Sequence, residues 1–205
     1  MKTYIIGYGS LLNRASLNRT LPQVENIEPI YLSKYSRYWH ANENITPTFS
    51  STFLGVSKSE NSRINCIIFE IEESLLPLID KREFLYHREQ VDLNAIEFTS
   101  NRFKIKADDN IWIYITNKPS EPSKDFPIIQ SYVDVCLSGA MQLEEEFDLE
   151  NFAIDFIKTT EQWSASWVND RIFPRAPHIH EPDAYRIDVI LSENINQYFN
   201  KIVIE

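Results

Sequence analysis

The sequence predicts an α+β fold, and three observations carry that expectation. Through residue 116 the apolar residues gather in short strand-like runs, and from Ile128 onward they recur at three- and four-residue spacing. Between the two regimes lies NKPSEPSKDFP, Asn117–Pro127, whose three prolines mark a linker. Nothing in a length of 205 residues demands more than one domain, so residues 1–205 read as a single unit. Its first part, 1–116, is β-rich, and its second, 117–205, is mainly helical.

Tyr4, Ile5 and Ile6 read as a buried strand, which the Gly7-Tyr8-Gly9 that follows ends at once. Glycine tolerates positive φ and admits close approach to the backbone, so this strand end is expected to face another group. Residues Asn13–Leu21 suit a short helix stopped by Pro22. Ser51–Val56 and Ile64–Ile71 read as strands that pair as a hairpin across SKSENS. Ser74 is placed to cap a helix that tolerates Pro77 in its first turn and runs toward Asp80-Lys81-Arg82-Glu83. Strands are expected at Tyr86–Leu93, Ala95–Thr99, Phe103–Lys106 and Asn110–Thr116, the last containing the apolar run IWIYI. After the linker, Ile128, Ile129, Tyr132, Val133, Cys136, Leu137, Ala140 and Met141 form the stripe of an amphipathic helix, with Pro127 in its first turn. A helix at Leu149–Lys158, a proline-rich loop at Phe173–Pro182 and a short helix at Ala184–Leu191 complete the reading.

Thirty acidic residues against twenty basic ones give a formal charge of −10, which repels phosphate backbones and anionic membranes, so no nucleic acid or membrane partner is expected. No apolar run approaches a membrane span, and the early one is cut by glycines without a small-residue cleavage site. Cys66 and Cys136 lie among apolar neighbours and read as reduced core thiols, which fits the cytoplasm. Composition is silent on oligomeric state.

Gly7-Tyr8-Gly9 lacks the third glycine of a dinucleotide fingerprint, and no phosphate-loop lysine follows. What remains is a turn whose amides, near a helix start, suit a carboxylate or a developing oxyanion. A second feature gives it company: DKREFLYHREQV, Asp80–Val91, sets Glu83 at a helix end just before Tyr86 and Arg88.

The pair of motifs, YGSL after the first strand and D-x-x-E followed by Y-x-R-x-x-V, resembles the gamma-glutamylcyclotransferase family over roughly residues 3 to 116. That resemblance implies a mixed, partly closed β-sheet or small β-barrel with surrounding helices and a helical C-terminal extension. It further implies a gamma-glutamyl small-molecule substrate cyclised to 5-oxoproline, without metal or cofactor. Carried onto this chain, Tyr8, Gly9, Ser10 and Leu11 become the substrate loop and Glu83 the catalytic carboxyl. Tyr86 and Tyr114 are similar to tyrosines that line the family's pocket. Phe84 stands where many members have glycine.

The chemistry needs one carboxyl that takes a proton from the attacking α-amine and returns one to the leaving amine. An ordinary glutamate, with a pKa of about 4.3, is too acidic for that unless partial desolvation raises it, and Phe84 and Tyr86 are the aromatic neighbours expected to supply the effect. His178-Ile179-His180 is a weak metal arm, since the other histidines, His40 and His87, lie at no ligand spacing. Cys136, near Asp134, falls on the apolar stripe and reads as core rather than nucleophile. Glu144-Glu145-Glu146 reads as a solvated helix end, and Arg171 and Arg175 are possible carboxylate binders. Two other classes stay open from sequence: a non-catalytic module that binds small carboxylates, and an interaction protein with an aromatic-rich helical tail.

Overall fold

The computed structural model describes residues 1–46, 49–100, 104–175 and 183–204. Its strands are β1 (Thr3–Gly7), β2 (Ile27–Thr46), β3 (Phe49–Ile71), β4 (Tyr86–Gln90), β5 (Ile96–Phe98), β6 (Asn110–Thr116), β7 (Ile128–Ile129), β8 (Thr160–Glu161), β9 (Trp167–Asn169) and β10 (Val203–Ile204). Its α-helices are α1 (Arg14–Asn18), α2 (Leu76–Arg82), α3 (Gln130–Phe147), α4 (Phe152–Lys158) and α5 (Ala184–Phe199).

The main sheet is mixed and runs β4-β6-β1-β3-β2-β5, with β8 added beside β2. It is an α+β arrangement in which the sheet stays open instead of closing into a barrel. β1 lies inside it, parallel to β6 and antiparallel to β3, and all five of its residues are buried. A strand covered on both faces cannot alternate polar with apolar, which is why TYIIG reads as a continuous apolar run. Ile5, Ile6, Ile67, Phe69 and Ile113 form the core on this part of the sheet.

The hairpin expected across SKSENS is not formed. Ser51–Val56 and Ile64–Ile71 both belong to β3, whose partner is β2. The polar stretch sits at a register shift between the pairs Ser33–Arg63 and Tyr35–Lys58, where Lys34 has a φ of 68° and Ser62 bonds both Ser36 and Ser59 through its hydroxyl. Polar residues here mark a bulge within a long strand, not a turn between two.

Other boundaries also move. α1 is capped by Asn13, whose side chain accepts from the Ser16 amide. α2 carries Pro77 in its first turn as expected, but Ser74 lies in a preceding 3-10 turn and no side chain caps the helix. Pro127 does not open α3, because Ile128 and Ile129 form β7 beside β9 first. Lys104–Lys106 form no strand, and Phe103 lies outside the described residues. α5 continues past Leu191 to Phe199. No helix among the described residues is long and apolar enough to cross a membrane.

α3 is buried from Gln130 through Met141 and presses its small residues on the turn after β1. A Cβ on Gly139 would lie 2.4 Å from the Asn13 amide nitrogen, a separation open only to glycine. Beside it, Asn13 Nδ2 donates to Ser138 Oγ at 3.0 Å. This contact fixes where the middle of α3 meets the turn.

Candidate active site

Five chain segments meet around one cavity of about 360 Å³: the turn after β1 with the α1 region, the paired strands β2 and β3, the end of α2 leading into β4, and the start of α3. Ser10, Ser16, Thr20, Arg82, Glu83, Tyr86 and Tyr132 are among the residues that line it. A smaller void of about 30 Å³ adjoins through Ser10, Glu83, Tyr86 and Tyr132 and is lined by Tyr8, Gly9, Leu11 and Tyr114 as well. Every residue that the family resemblance assigns to the site therefore borders one void or the other.

Residues Ser10–Leu12 form a single 3-10 turn, closed by the Leu12 amide on Gly9 O at 3.0 Å. The first amides of such a turn have no partner within it. No glycine in the described chain has positive φ, and Gly9 has a φ of −133°. Its role is close approach alone: a Cβ there would lie 2.9 Å from Tyr132 Oη. Tyr132 cannot swing away freely, since its ring packs edge-on against Trp39 and Phe53.

Glu83 follows the last turn of α2, with its amide bonded to Ile79 O at 2.8 Å. Its side chain is 16% exposed and meets Arg82 through Nε at 3.2 Å. Burial pushes the Glu83 carboxyl above the ordinary glutamate range, against the opposing pull of the Arg82 charge and hydrogen bond. Phe84 is 60% exposed and gives Glu83 little cover, contrary to the sequence expectation. Burial first, and nearby groups including Glu83 second, hold the Tyr8, Tyr86 and Tyr132 phenols well above their usual range. These hydroxyls keep their protons and act as donors.

Arg82 joins the pieces. Its guanidinium donates to Ser16 O at 2.8 Å, Thr20 Oγ1 at 2.9 Å, Ser16 Oγ at 3.0 Å and Ser10 Oγ at 3.1 Å. A planar fork with five donors can hold the turn, α1 and a carboxylate together, which a lysine cannot. Behind the turn, the fully buried Arg37 donates to Tyr8 O at 3.3 Å and to Phe156 O of α4 at 2.9 Å. Burial lowers its pKa to about 10.

The tyrosines are held by the protein itself. Tyr8 Oη donates to Tyr114 O at 2.6 Å, Tyr86 Oη to Leu54 O at 2.7 Å, and Tyr114 Oη to Asp80 Oδ1 at 2.6 Å. Asp80 in turn receives Arg88.

Sequence reasoning missed Tyr132, Arg82 and Glu43 as site residues. In sequence Tyr132 belongs to the apolar stripe of α3, and only the tertiary contact with Gly9 separates it from that stripe. Arg171 and Arg175 are committed elsewhere: Arg171 bonds Asp134 and Asp188, and Arg175 donates to Ser50 O. Cys136 is buried with its thiol pushed up to about 12, chiefly by burial, as a core residue would be. His178 and His180 lie outside the described residues.

Among solved structures, the chain is similar to one described as a gamma-glutamyl cyclotransferase, at 13% identity and a TM-score of 0.55, covering 77% of this chain and 99% of that one. An uncharacterized protein from Homo sapiens matches equally, at 13% identity and a TM-score of 0.55 over 77% of this chain and 98% of its own. YkqA from Bacillus subtilis matches at 18% identity and a TM-score of 0.51, over 71% of this chain and 51% of its own. At these identities the likeness is one of fold. No curated protein matches the sequence. The family model described as "Gamma-glutamyl cyclotransferase, AIG2-like" matches residues 5–132, more than half of the chain and every residue that lines the cavity, and the protein belongs to that family.

Proposed function

We propose that the protein cyclises a gamma-glutamyl amide to 5-oxoproline and releases the amine, with Glu83 as general acid and base. One observation carries the reading: a carboxyl raised by burial lines a cavity in common with Ser10 from the turn after β1. Membership of the family supports gamma-glutamyl cyclotransferase-type activity in general.

In this reading the α-amine of the substrate attacks its own γ-carbonyl carbon while Glu83 takes a proton from the attacking nitrogen. The carbonyl π electrons move onto oxygen, and the first-turn amides of Ser10 and Leu11 are the donors proposed for that oxyanion. The intermediate then collapses: the bond from carbon to the leaving nitrogen breaks, and Glu83 returns its proton to that nitrogen. A carboxyl nearer neutrality than a free glutamate serves both transfers. Tyr8, Gly9 and Leu11 shape the substrate loop, and Tyr86 and Tyr114 line it.

The same proposal treats residues 1–205 as one domain, supported by the seat of α3 on the Leu12-Asn13 backbone. It assigns a reducing cytoplasm, supported by two free, buried cysteines. Incubation with a panel of gamma-glutamyl amides, with mass-spectrometric detection of 5-oxoproline, tests the activity. Product from at least one amide is expected, and none from any would reject the reading.

A further inference from the structure

Arg37 on β2 is fully buried, yet every group that it bonds is neutral. Its guanidinium donates to Thr160 Oγ1 and Asn65 O at 2.8 Å, to Asn65 Oδ1, Thr159 Oγ1 and Phe156 O at 2.9 Å, and to Tyr8 O at 3.3 Å. Among the described residues no carboxylate bonds or pairs with it. Burial leaves its pKa at about 10, so it stays charged near neutrality. Phe156, Thr159 and Thr160 lie at α4 and β8, beyond the residues 5–132 that the family model matches. The Phe156 ring adds a face 3.8 Å from the guanidinium carbon. A segment outside the matched region thus holds a cation against the carbonyl of the substrate loop.

The Tyr8–Gly9 peptide is trans, so its carbonyl and its N–H point in opposite directions. With the carbonyl turned to Arg37, the Gly9 N–H points away from the cation. Gly9 borders the smaller void with Glu83, whereas Arg37 lines neither void. Among the described residues the Gly9 amide donates to no group. A carbonyl that accepts from a buried cation is polarised, and the N–H on the far side of the same peptide becomes a stronger donor. We propose that Arg37 is a positioning residue: seated by α4 and β8, it fixes and polarises the Tyr8–Gly9 peptide so that the Gly9 N–H joins the donors to the oxyanion. This rests on the cyclisation reading of the site. Arg37 touches no substrate, and an effect that grows only as charge forms on the γ-carbonyl oxygen acts on kcat more than on KM.

The test compares wild type with Arg37→Gln and Thr160→Val on the gamma-glutamyl amide that the wild type cyclises fastest. Arg37→Gln keeps a polar amide and loses the charge, and its kcat is expected to fall about tenfold or more with KM within about twofold of wild type. Thr160→Val keeps the side-chain shape but removes the hydroxyl that accepts from Nε, and its kcat should fall about threefold. A merely structural arginine would lower the melting temperature and leave kcat of the folded variants unchanged, which would overturn the proposal. A second readout needs no turnover. Gly9 is the only glycine that follows a tyrosine, so protein labelled with ¹³C at tyrosine carbonyls and ¹⁵N at glycine gives one carbonyl-to-amide cross-peak, that of the Tyr8–Gly9 peptide. A weakened hydrogen bond at this carbonyl should move both the Tyr8 carbon and the Gly9 nitrogen upfield in each variant, and an unmoved cross-peak would overturn the proposal. If Arg37→Gln fails to fold, Thr160→Val carries both measurements. If no gamma-glutamyl amide releases 5-oxoproline, the cyclisation reading fails separately, and the cross-peak alone decides whether Arg37 sets this peptide.

Discussion

Arg82 Nε stands 3.2 Å from Glu83 Oε1, and the same guanidinium donates to Ser10 Oγ at 3.1 Å. One side chain therefore sets both the charge beside the proposed acid/base and the place of the turn that faces it. Removing the cation leaves burial unopposed, so Arg82→Met is expected to move the acid limb of kcat/KM to higher pH. Arg82→Lys keeps a charge but loses the fork: it should hold the limb nearer to wild type while kcat/KM falls about tenfold or more through a misplaced turn. Identical acid limbs in all three proteins would separate Arg82 from the titration of Glu83.

Glu83 should also weaken the fold at high pH. Its folded pKa lies above its unfolded one, so its contribution to stability is fully present below the unfolded value of about 4.3 and is lost as pH rises through the folded value. Glu83→Gln removes that dependence. At pH 8 the variant should melt about 2–4 °C above wild type, with the gap closing toward pH 4. A gap that stays constant across the range would contradict burial as the cause of the raised pKa.

Gly9→Ala places a methyl group 2.9 Å from Tyr132 Oη, and a loss of about tenfold in kcat/KM is expected. Because the clash is with the hydroxyl, Tyr132→Phe in the same chain should recover part of the loss. Kinetics of the two single variants and the double variant measure the coupling directly. Simple additivity would mean that the glycine serves something other than this contact.

Gly139→Ala probes the seat of α3. Its methyl group meets backbone, the Asn13 nitrogen at 2.4 Å and the Leu12 carbonyl carbon at 2.6 Å, which cannot give way as a side-chain tip can. A destabilisation of about 1–3 kcal/mol by urea unfolding is expected, despite the better helix propensity of alanine. Unchanged stability would show that the helix shifts without cost.

Much of this architecture was legible because its signals are local. The apolar run of β1, Pro77 in the first turn of α2 and the stripe of α3 each follow from short-range periodicity. β2 was not legible, for its twenty residues include Pro29 and bury Glu28, Arg37 and His40 among apolar neighbours. A buried arginine satisfied by Thr160, Asn65 and the Phe156 carbonyl breaks the alternation on which strand reading depends. At the site, Glu83 and the Tyr8–Leu11 turn were found by motif. Tyr132 and Arg82 depend on contacts between distant segments, and nothing in their neighbourhood in sequence distinguishes them from a core tyrosine and a surface arginine.

The central claim is that Glu83 moves the protons of a gamma-glutamyl cyclisation. Its most direct measurement is 5-oxoproline release by wild type and by Glu83→Gln on the same gamma-glutamyl amide, with a thermal melt of each. The amide of glutamine keeps the size and the Arg82 contact of the side chain but cannot relay a proton. The account predicts a folded variant whose rate has fallen by about a hundredfold or more. A folded variant that keeps most of the wild-type rate would contradict it.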